Sequence, residues 1–438
     1  MKKSLGLVFL VLMLVLAVGC MAVQTTYEDN ELTYKLTDTG QNKSYDSDGN
    51  EIDPAEGEAF YGQDAKYEGI EASFTDNGDG TITDNVSGLM WQMIPVSEYF
   101  TWYQAQEYCE DLSLAGYDDW RLPTAKELFG ISDFSVGWPY LDTNYFDFPE
   151  MPGSARTDTP QRDEAQQTEA QPGGGQHPQG GHPGGKAEGD ELPEKEESSE
   201  SRGMQPALSD DGMEGEGISK QQGQFWTSNF YYVGTTHDGE DTAFGVNHAT
   251  GHIKGYPVGS DGDVIGRYVR AVRGVDTSVN NFVDNGDGTI SDLSTGLMWM
   301  TDDNGAAVNW EDALTYSENL ELAGYDDWRL PNVKELQSIV DYSGSFPAID
   351  PTFFNITTEL EDNINCYFWT STSAYFSKQE PEYYYAWYVA FGKAVGPDGE
   401  DTHGAGAVRF SAKYPENDIK EEDTGNSLNS VRCVRTID

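Results

Sequence analysis

Two acidic loops hold the residues whose spacing comes nearest to metal chemistry. Asp76, Asp79 and Asp84 fall in and after "DNGDGT" at 76–81, and Asp284, Asp287 and Asp292 repeat them 208 residues later. Carboxylates gathered in a short glycine-rich loop are calcium ligands by type. An EF-hand loop, however, alternates oxygen ligands from its first residue, and here Gly78 and Gly80 stand at the third and fifth places. Asn-Gly and Asp-Gly are also the strongest hairpin-turn dipeptides, so a plain turn competes with the ion site. Calcium is the one cofactor these residues suit, and the chain carries no other cofactor motif.

A second constellation is the string "LAGYDDWRLP", present letter for letter at 114–123 and 322–331. Trp120 and Trp328 can bury large apolar area, and Arg121 and Arg329 can fork onto a carboxylate with two parallel bonds. The partners on offer are Glu127 and Glu335, or the pairs Asp118-Asp119 and Asp326-Asp327. The string reads as a structural keystone between a loop and a helix.

The third is aromatic. "FYYV" (230–233) and "EYYYAWYVAF" (382–391) hold more ring surface than one sheet face buries. Alternation sends half of it to a core, which leaves Tyr231, Tyr232, Tyr383, Tyr385 and Trp387 as the candidates for stacking on a sugar or a protein partner. No Ser/His/Asp or metal-hydrolase spacing occurs. Carboxylates abundant enough to hide a glycosidase pair are present, but nothing singles one out.

The cysteines complete the set. Apart from Cys20 they are Cys109, Cys366 and Cys433. Cys366 and Cys433 both belong to the second half, where the first has Gly223 and Ala271, and this paired difference predicts a disulfide between them. Cys109 lies on the apolar stripe of a helix as a small inert residue. The rival pairing, Cys109 with Cys433, would staple the halves together.

The elements that position these residues come in duplicate. "FTDNGDGTITDNVSGLMWQ" (74–92) matches "FVDNGDGTISDLSTGLMWM" (282–300), "FWTS" (225–228) matches 368–371, and "YVRAVRG" (268–274) matches "SVRCVRT" (430–436). Each copy predicts three short strands with tight turns and an amphipathic helix, which in the first copy carries Trp102, Ala105, Tyr108, Cys109 and Leu112 and closes at Gly116. A second helix follows, opened by a capping box at Thr124/Glu127 or Asn332/Glu335, and then further strands. The fold class is therefore α+β: two tandem domains, each with two helices against antiparallel sheet. The first, 71–275, contains an insertion at 152–223, rich in Gly, Pro, Gln and Glu, whose composition predicts disorder, with His177 and His182 as solvated residues within it. The second domain spans 276–438. Residues 20–70 read as a polar spacer, with one hairpin at "YDSDGNEI".

Residues 1–19 predict a lipoprotein signal peptide: Lys2 and Lys3, the apolar run Leu5–Val18, and small residues ending on Cys20, the expected site of lipidation. The formal charge is −50, and removal of Lys2 and Lys3 makes it −52. Such a chain repels phosphate backbones, which excludes nucleic acid as a partner.

Taken in order, DNGDGT, GLMW, DWRLPxxxEL, WTS and VRxVR resemble the domain named for the C-terminal part of the Legionella collagen-like adhesin, also known as a bacterial domain of unknown function. The resemblance covers about 70–151 with 224–275, and 278–438. The motif order is more distantly similar to the C-type-lectin and formylglycine-generating-enzyme group. It implies a C-type-lectin-like fold in each repeat, with first and last strands paired. The enzymes of that group use a cysteine pair, whereas here Cys433 is alone on its strand and Ala271 replaces it in the first copy. The adhesin domain is tied to sulfated polysaccharides, a ligand that a charge of −52 opposes. The expectation is a non-catalytic envelope lipoprotein, anchored to the outer membrane or cell surface through its lipid alone, whose two domains bind a carbohydrate or protein. The alternatives are an enzyme of the formylglycine-generating type and a structural envelope component.

Overall fold

The computed structural model describes residues 32–135, 137–149, 223–259, 266–356, 366–375, 383–396, 399–414 and 427–437. The signal sequence with Cys20 lies outside them, as does the insertion apart from Gly223. A short hairpin comes first, β1 (Ser44–Tyr45) with β2 (Glu51–Ile52). Repeat 1 follows with β3 (Phe74–Asp76), β4 (Thr81–Asp84), β5 (Met90–Gln92), α1 (Trp102–Asp111), α2 (Ala125–Gly130), β6 (Gln224–Phe230), β7 (Thr242–Asn247), β8 (His252–Pro257) and β9 (Val272–Arg273). Repeat 2 runs through the same order: β10 (Phe282–Asp284), β11 (Thr289–Asp292), β12 (Leu297–Met300), α3 (Trp310–Glu318), α4 (Val333–Ser338), β13 (Tyr367–Ala374), β14 (Tyr385–Ala390), β15 (Val408–Ala412) and β16 (Val434–Thr436). The fold is α+β, with strands far outnumbering helices.

The repeats are not beads on a string. Each has its own four-stranded antiparallel sheet, β3-β4-β5-β9 and β10-β11-β12-β16, but the remaining strands join into one six-stranded sheet ordered β13-β14-β15-β8-β7-β6. The junction is the antiparallel pair β8–β15, with Ile253 opposite Val408. Equivalent strands meeting antiparallel give the geometry of an isologous dimer within one chain. One face of this sheet carries Phe225, Phe244, Val246 and Ile253 beside Phe368, Trp387, Val389 and Val408, in a single apolar cluster that also takes Leu128, Phe129 and Leu336 from α2 and α4. The other face is covered separately in each half, by α1 over Trp226 and Tyr256 and by α3 over Trp369 and Tyr388. Each fully buried large side chain contributes about 2–3 kcal/mol, so the shared cluster couples the stabilities of the two repeats.

The repeated ten-residue string is accounted for residue by residue. Leu114 and Tyr117 exchange backbone bonds of 3.1 and 3.0 Å around Ala115-Gly116, whose φ values of +53° and +79° make a two-residue hairpin turn. Helix α1 thus ends at Asp111, with Leu112 already extended, and Gly116 serves this turn instead of closing the helix. Tyr117 lies under the Arg273 guanidinium at 3.7 Å, and Asp119 takes that guanidinium at 2.6 and 3.0 Å. Trp120 is buried, and its indole donates to Leu114 O. Arg121 forks onto Glu127 at 2.8 and 2.5 Å, and Arg329 onto Glu335 at 2.6 Å twice. The same glutamates accept from the backbone N–H of Thr124 and Asn332, which completes the capping boxes of α2 and α4. Of the two sets of acidic partners, the glutamates hold Arg121 and Arg329, while Asp119 and Asp327 hold the second arginine of each VRxVR strand.

The first arginine of that strand is wholly enclosed. Arg270 donates to the carbonyls of Gln92, Met93 and Asp147, and Arg432 to those of Met300, Thr301 and Asn355, the same positions 208 residues on. The VRxVR motif therefore supplies one interior clamp and one surface clamp per repeat.

Two expectations are corrected here. Residues 32–70 are no spacer: Thr39, Gln63 and Asp64 are buried, and Tyr45 stacks on Tyr383 with ring centroids 3.8 Å apart. A polar segment can be interior when each polar group is partnered, and Asp64 accepts from Thr39 and Thr372 at 2.8 and 2.6 Å. Its hairpin forms as expected, with Asp46 bonded to Asn50.

The disulfide expectation also fails. Cys366 and Cys433 are not joined by a disulfide and lie in different clusters, the first in the shared core and the second under α3, and Cys109 is unbridged as well. What changes between the repeats is a helix–strand contact: Cys433 meets Ser317 at 3.3 Å, and the equivalent places in repeat 1 hold Ala271 and Cys109. The sulfur has changed sides, which conserves volume across the contact. Burial pushes all three thiols up to about 12, so little thiolate exists at neutral pH. Iodoacetamide should leave Cys109, Cys366 and Cys433 unlabelled in the native protein and label all three in denaturant without reductant; a linked 366–433 peptide would contradict this.

Candidate functional site

The acidic loops turn inward on their own backbone. Asp76 accepts from Gly78 N at 2.8 Å, and Asp79 from Thr81 N and Oγ1 at 3.2 and 2.6 Å. Asp84 accepts from Val86 N and Ser87 Oγ at 2.9 and 2.6 Å. Asp284 and Asp287 repeat the pattern, and Asp292 takes Asn281 N, Ser294 N and Thr295 Oγ1. Among the described residues no group of three or more Asp, Glu, His or Cys side chains is placed to hold a metal. These loops are hairpin turns locked by Asx bonds, and the calcium expectation is set aside.

The aromatic platform is corrected too. Tyr231, Tyr385 and Trp387 are buried, and Tyr383 is stacked against Tyr45. The expectation assumed a sheet with one wet face, whereas the other repeat covers that face. Tyr232 alone of the five is well exposed, at 68 %.

Tyr232 borders a groove of about 730 Å³ between the repeats. One wall is repeat 1: Thr124 and Lys126 at the start of α2, with Asn229 and Tyr232 at the end of β6. The floor is the connection from Asp276 to Phe282, and the far wall is Val340–Ser343 after α4, with Asp350 and Phe353. A register shift in β6 between Trp226 and Phe230 turns Asn229 toward α2, where its Oδ1 accepts from Ala125 N at 2.7 Å. The WTS motif is this bulge, and Ser228 N docks it on Pro123 O at 2.7 Å. Lys126 Nζ reaches Asn280 Oδ1 at 2.8 Å, and burial lowers the lysine to about 8 against the pull of Asp292. Three carboxylates, Asp276, Asp341 and Asp350, face this one ammonium, so the groove is acidic.

Repeat 2 has the equivalent groove, and it is full. Lys334, the counterpart of Lys126, donates to Thr37 Oγ1, Asp38 O and Gly130 O at 2.9, 2.9 and 3.0 Å. Asp38 N donates to Ile70 O and Phe134 N to Thr39 O, both at 2.7 Å. The Gln41 carboxamide pairs with both sides of the Ser373 peptide, accepting from N at 2.8 Å and donating to O at 2.9 Å. The N-terminal segment therefore lies in repeat 2 where, among the described residues, the groove of repeat 1 is open.

Sequence reasoning reached Tyr232 but missed Lys126, Asn229, Asp341 and the segment 37–41. One signal was present: Asn229 and Phe230 in repeat 1 replace Thr372 and Ser373, so the two sites are not chemically alike.

Among the described residues no helix is long and apolar enough to cross a membrane. No curated protein and no solved structure matches the chain. The profile of the Lcl C-terminal domain matches twice, at residues 80–181 and 288–412, once in each repeat and over half the sequence in total. The chain belongs to the Lcl C-terminal domain family.

Proposed function

We propose that this is a lipid-anchored bacterial surface protein of adhesin-like type that binds its ligand, without chemistry, in the groove between its repeats. The groove carries the reading: it combines an exposed aromatic ring, amides and carboxylates on a frame fixed by both repeats, the usual make-up of a recognition site. The carboxylates are engaged in local turns, since Asp276 accepts from Ser278 N, Asp341 from Ser343 N and Asp350 from Thr352 N, each at 2.8 Å. That favours positioning over acid–base work. The address rests on the signal-like start and Cys20. The last strand of each repeat returns to its opening sheet, but β9 and β16 pair with the third strands, β5 and β12, and not with the first, β3 and β10, so the first-to-last pairing that a C-type-lectin-like fold implies is not met.

Two experiments check it. Glycan and matrix-protein arrays probed with the wild type and with Tyr232→Ala should show binding that falls about ten- to a hundredfold in the variant, the cost of losing an aromatic anchor. Equal binding would remove the groove from the account. Cys20→Ser should move the protein from the detergent phase to the aqueous phase, and unchanged partitioning would contradict the anchor.

A further inference from the structure

The two grooves are equivalent by fold and differ in occupancy, so the occupant of one states what the other can hold. In repeat 2 an extended stretch, Thr37–Gln41, is held mainly through backbone. Its anchoring groups are Ile70 O, Phe134 N, the Ser373 peptide and Lys334 Nζ. The matching positions around the repeat 1 groove are Ser278 and Tyr342, which belong to repeat 2, with Phe230 and Lys126 of repeat 1, and all four line it. Tyr342 N–H has no partner among the described residues. Tyr231 N donates across the sheet to Thr242 O, so alternation turns the neighbouring Phe230 N–H away from β7, toward the free edge of the sheet. A strand edge with its peptide groups outward is a template for another chain.

We propose that the groove of repeat 1 binds an extended segment of a partner polypeptide, uncharged or basic, bearing a glutamine-type carboxamide. The segment's backbone meets Ser278 and Tyr342, and the carboxamide, two residues further on, pairs with the Phe230 peptide as Gln41 pairs with Ser373. Charge sets the preference: the groove sets three carboxylates against Lys126, whereas the stretch 34–45 that fills its twin, YKLTDTGQNKSY, carries Lys35 and Lys43 against Asp38. The proposal rests on the groove being the ligand site and names the class of ligand.

The probe is a fluorescein-labelled YKLTDTGQNKSY peptide titrated into the full chain and followed by polarisation. Saturable binding is expected, weakened at least about tenfold, or about 1.4 kcal/mol, when the glutamine corresponding to Gln41 is replaced by alanine. Val279→Trp should abolish it, because Val279 is exposed and lines the groove, so the added ring fills space without disturbing the core. Binding that survives Val279→Trp would lie elsewhere, such as the repeat 2 site, and would overturn the proposal. So would no saturation below about 1 mM, indifference to the Gln41 change, or a dimer of this chain that Val279→Trp dissolves. If Val279→Trp abolishes array binding but the peptide never binds, the groove stands and the polypeptide ligand falls; if it alters neither, the groove itself falls.

Discussion

Arg432→Leu should destabilise the chain by about 3 kcal/mol, measured by urea denaturation. The guanidinium donates to Met300 O, Thr301 O and Asn355 O at 2.7, 2.7 and 2.5 Å. Leucine leaves three carbonyls without this donor; Met300 is buried and Thr301 half-buried, at about 1–3 kcal/mol each, whereas Asn355 is exposed and water can replace the lost bond. Against this stands the relief of a buried charge. Desolvation lowers Arg432 to about 10, so its removal returns about 3 kcal/mol. The lost bonds, together with the lost ring contacts with Phe354 and Phe368 at about 0.5–2 kcal/mol each, outweigh the relief and leave a net loss of about 3 kcal/mol. Arg273→Leu is the control, because its partner Asp119 is 58 % exposed and such pairs contribute at most about 1 kcal/mol. Equal effects of the two changes would contradict the division into interior and surface clamps.

Asp64→Asn should stabilise the protein by about 2–4 kcal/mol at pH 8 and by almost nothing at pH 4. Burial raises Asp64 to about 7, although the hydroxyls of Thr372 and Thr39 favour its charged form. In the unfolded chain it titrates near the ordinary carboxylate value of about 4. Between those limits the folded protein holds a proton that the unfolded one has lost, so stability falls as pH rises from about 4 to 7. Below about 4 both states are protonated and the contribution is intact. Asparagine keeps an acceptor for the two hydroxyls and cannot ionise. An Asn variant less stable than the parent at pH 8, in thermal melts at both pH values, would contradict the enclosed position of the N-terminal segment.

Much of each repeat was legible because its signals are local. The Thr124/Glu127 box, the Asn-Gly turns and the arginine–glutamate fork lie within a few residues of one another, and duplication showed which of them the fold retains. The rest depends on contacts between distant segments. Trp387 and Tyr385 looked like an exposed stripe only because a period of two cannot say what covers the second face. Thr39, Gln41 and Asp64 looked solvated because composition does not reveal partners, and here each polar group finds one. Cys366 and Cys433 looked like a pair in sequence, yet they face opposite sides of a sheet.

The asymmetry between a filled and an open groove carries the functional account, and amide hydrogen exchange reads it directly. Ser373 N–H is bonded to Gln41 and buried, so it should exchange only with the large unfolding events of the chain. Phe230 N–H, its counterpart at the rim of the open groove, should exchange faster by orders of magnitude and slow down when the 34–45 peptide is added. Equal protection of the two amides in the free protein would contradict the account, because both grooves would then be closed.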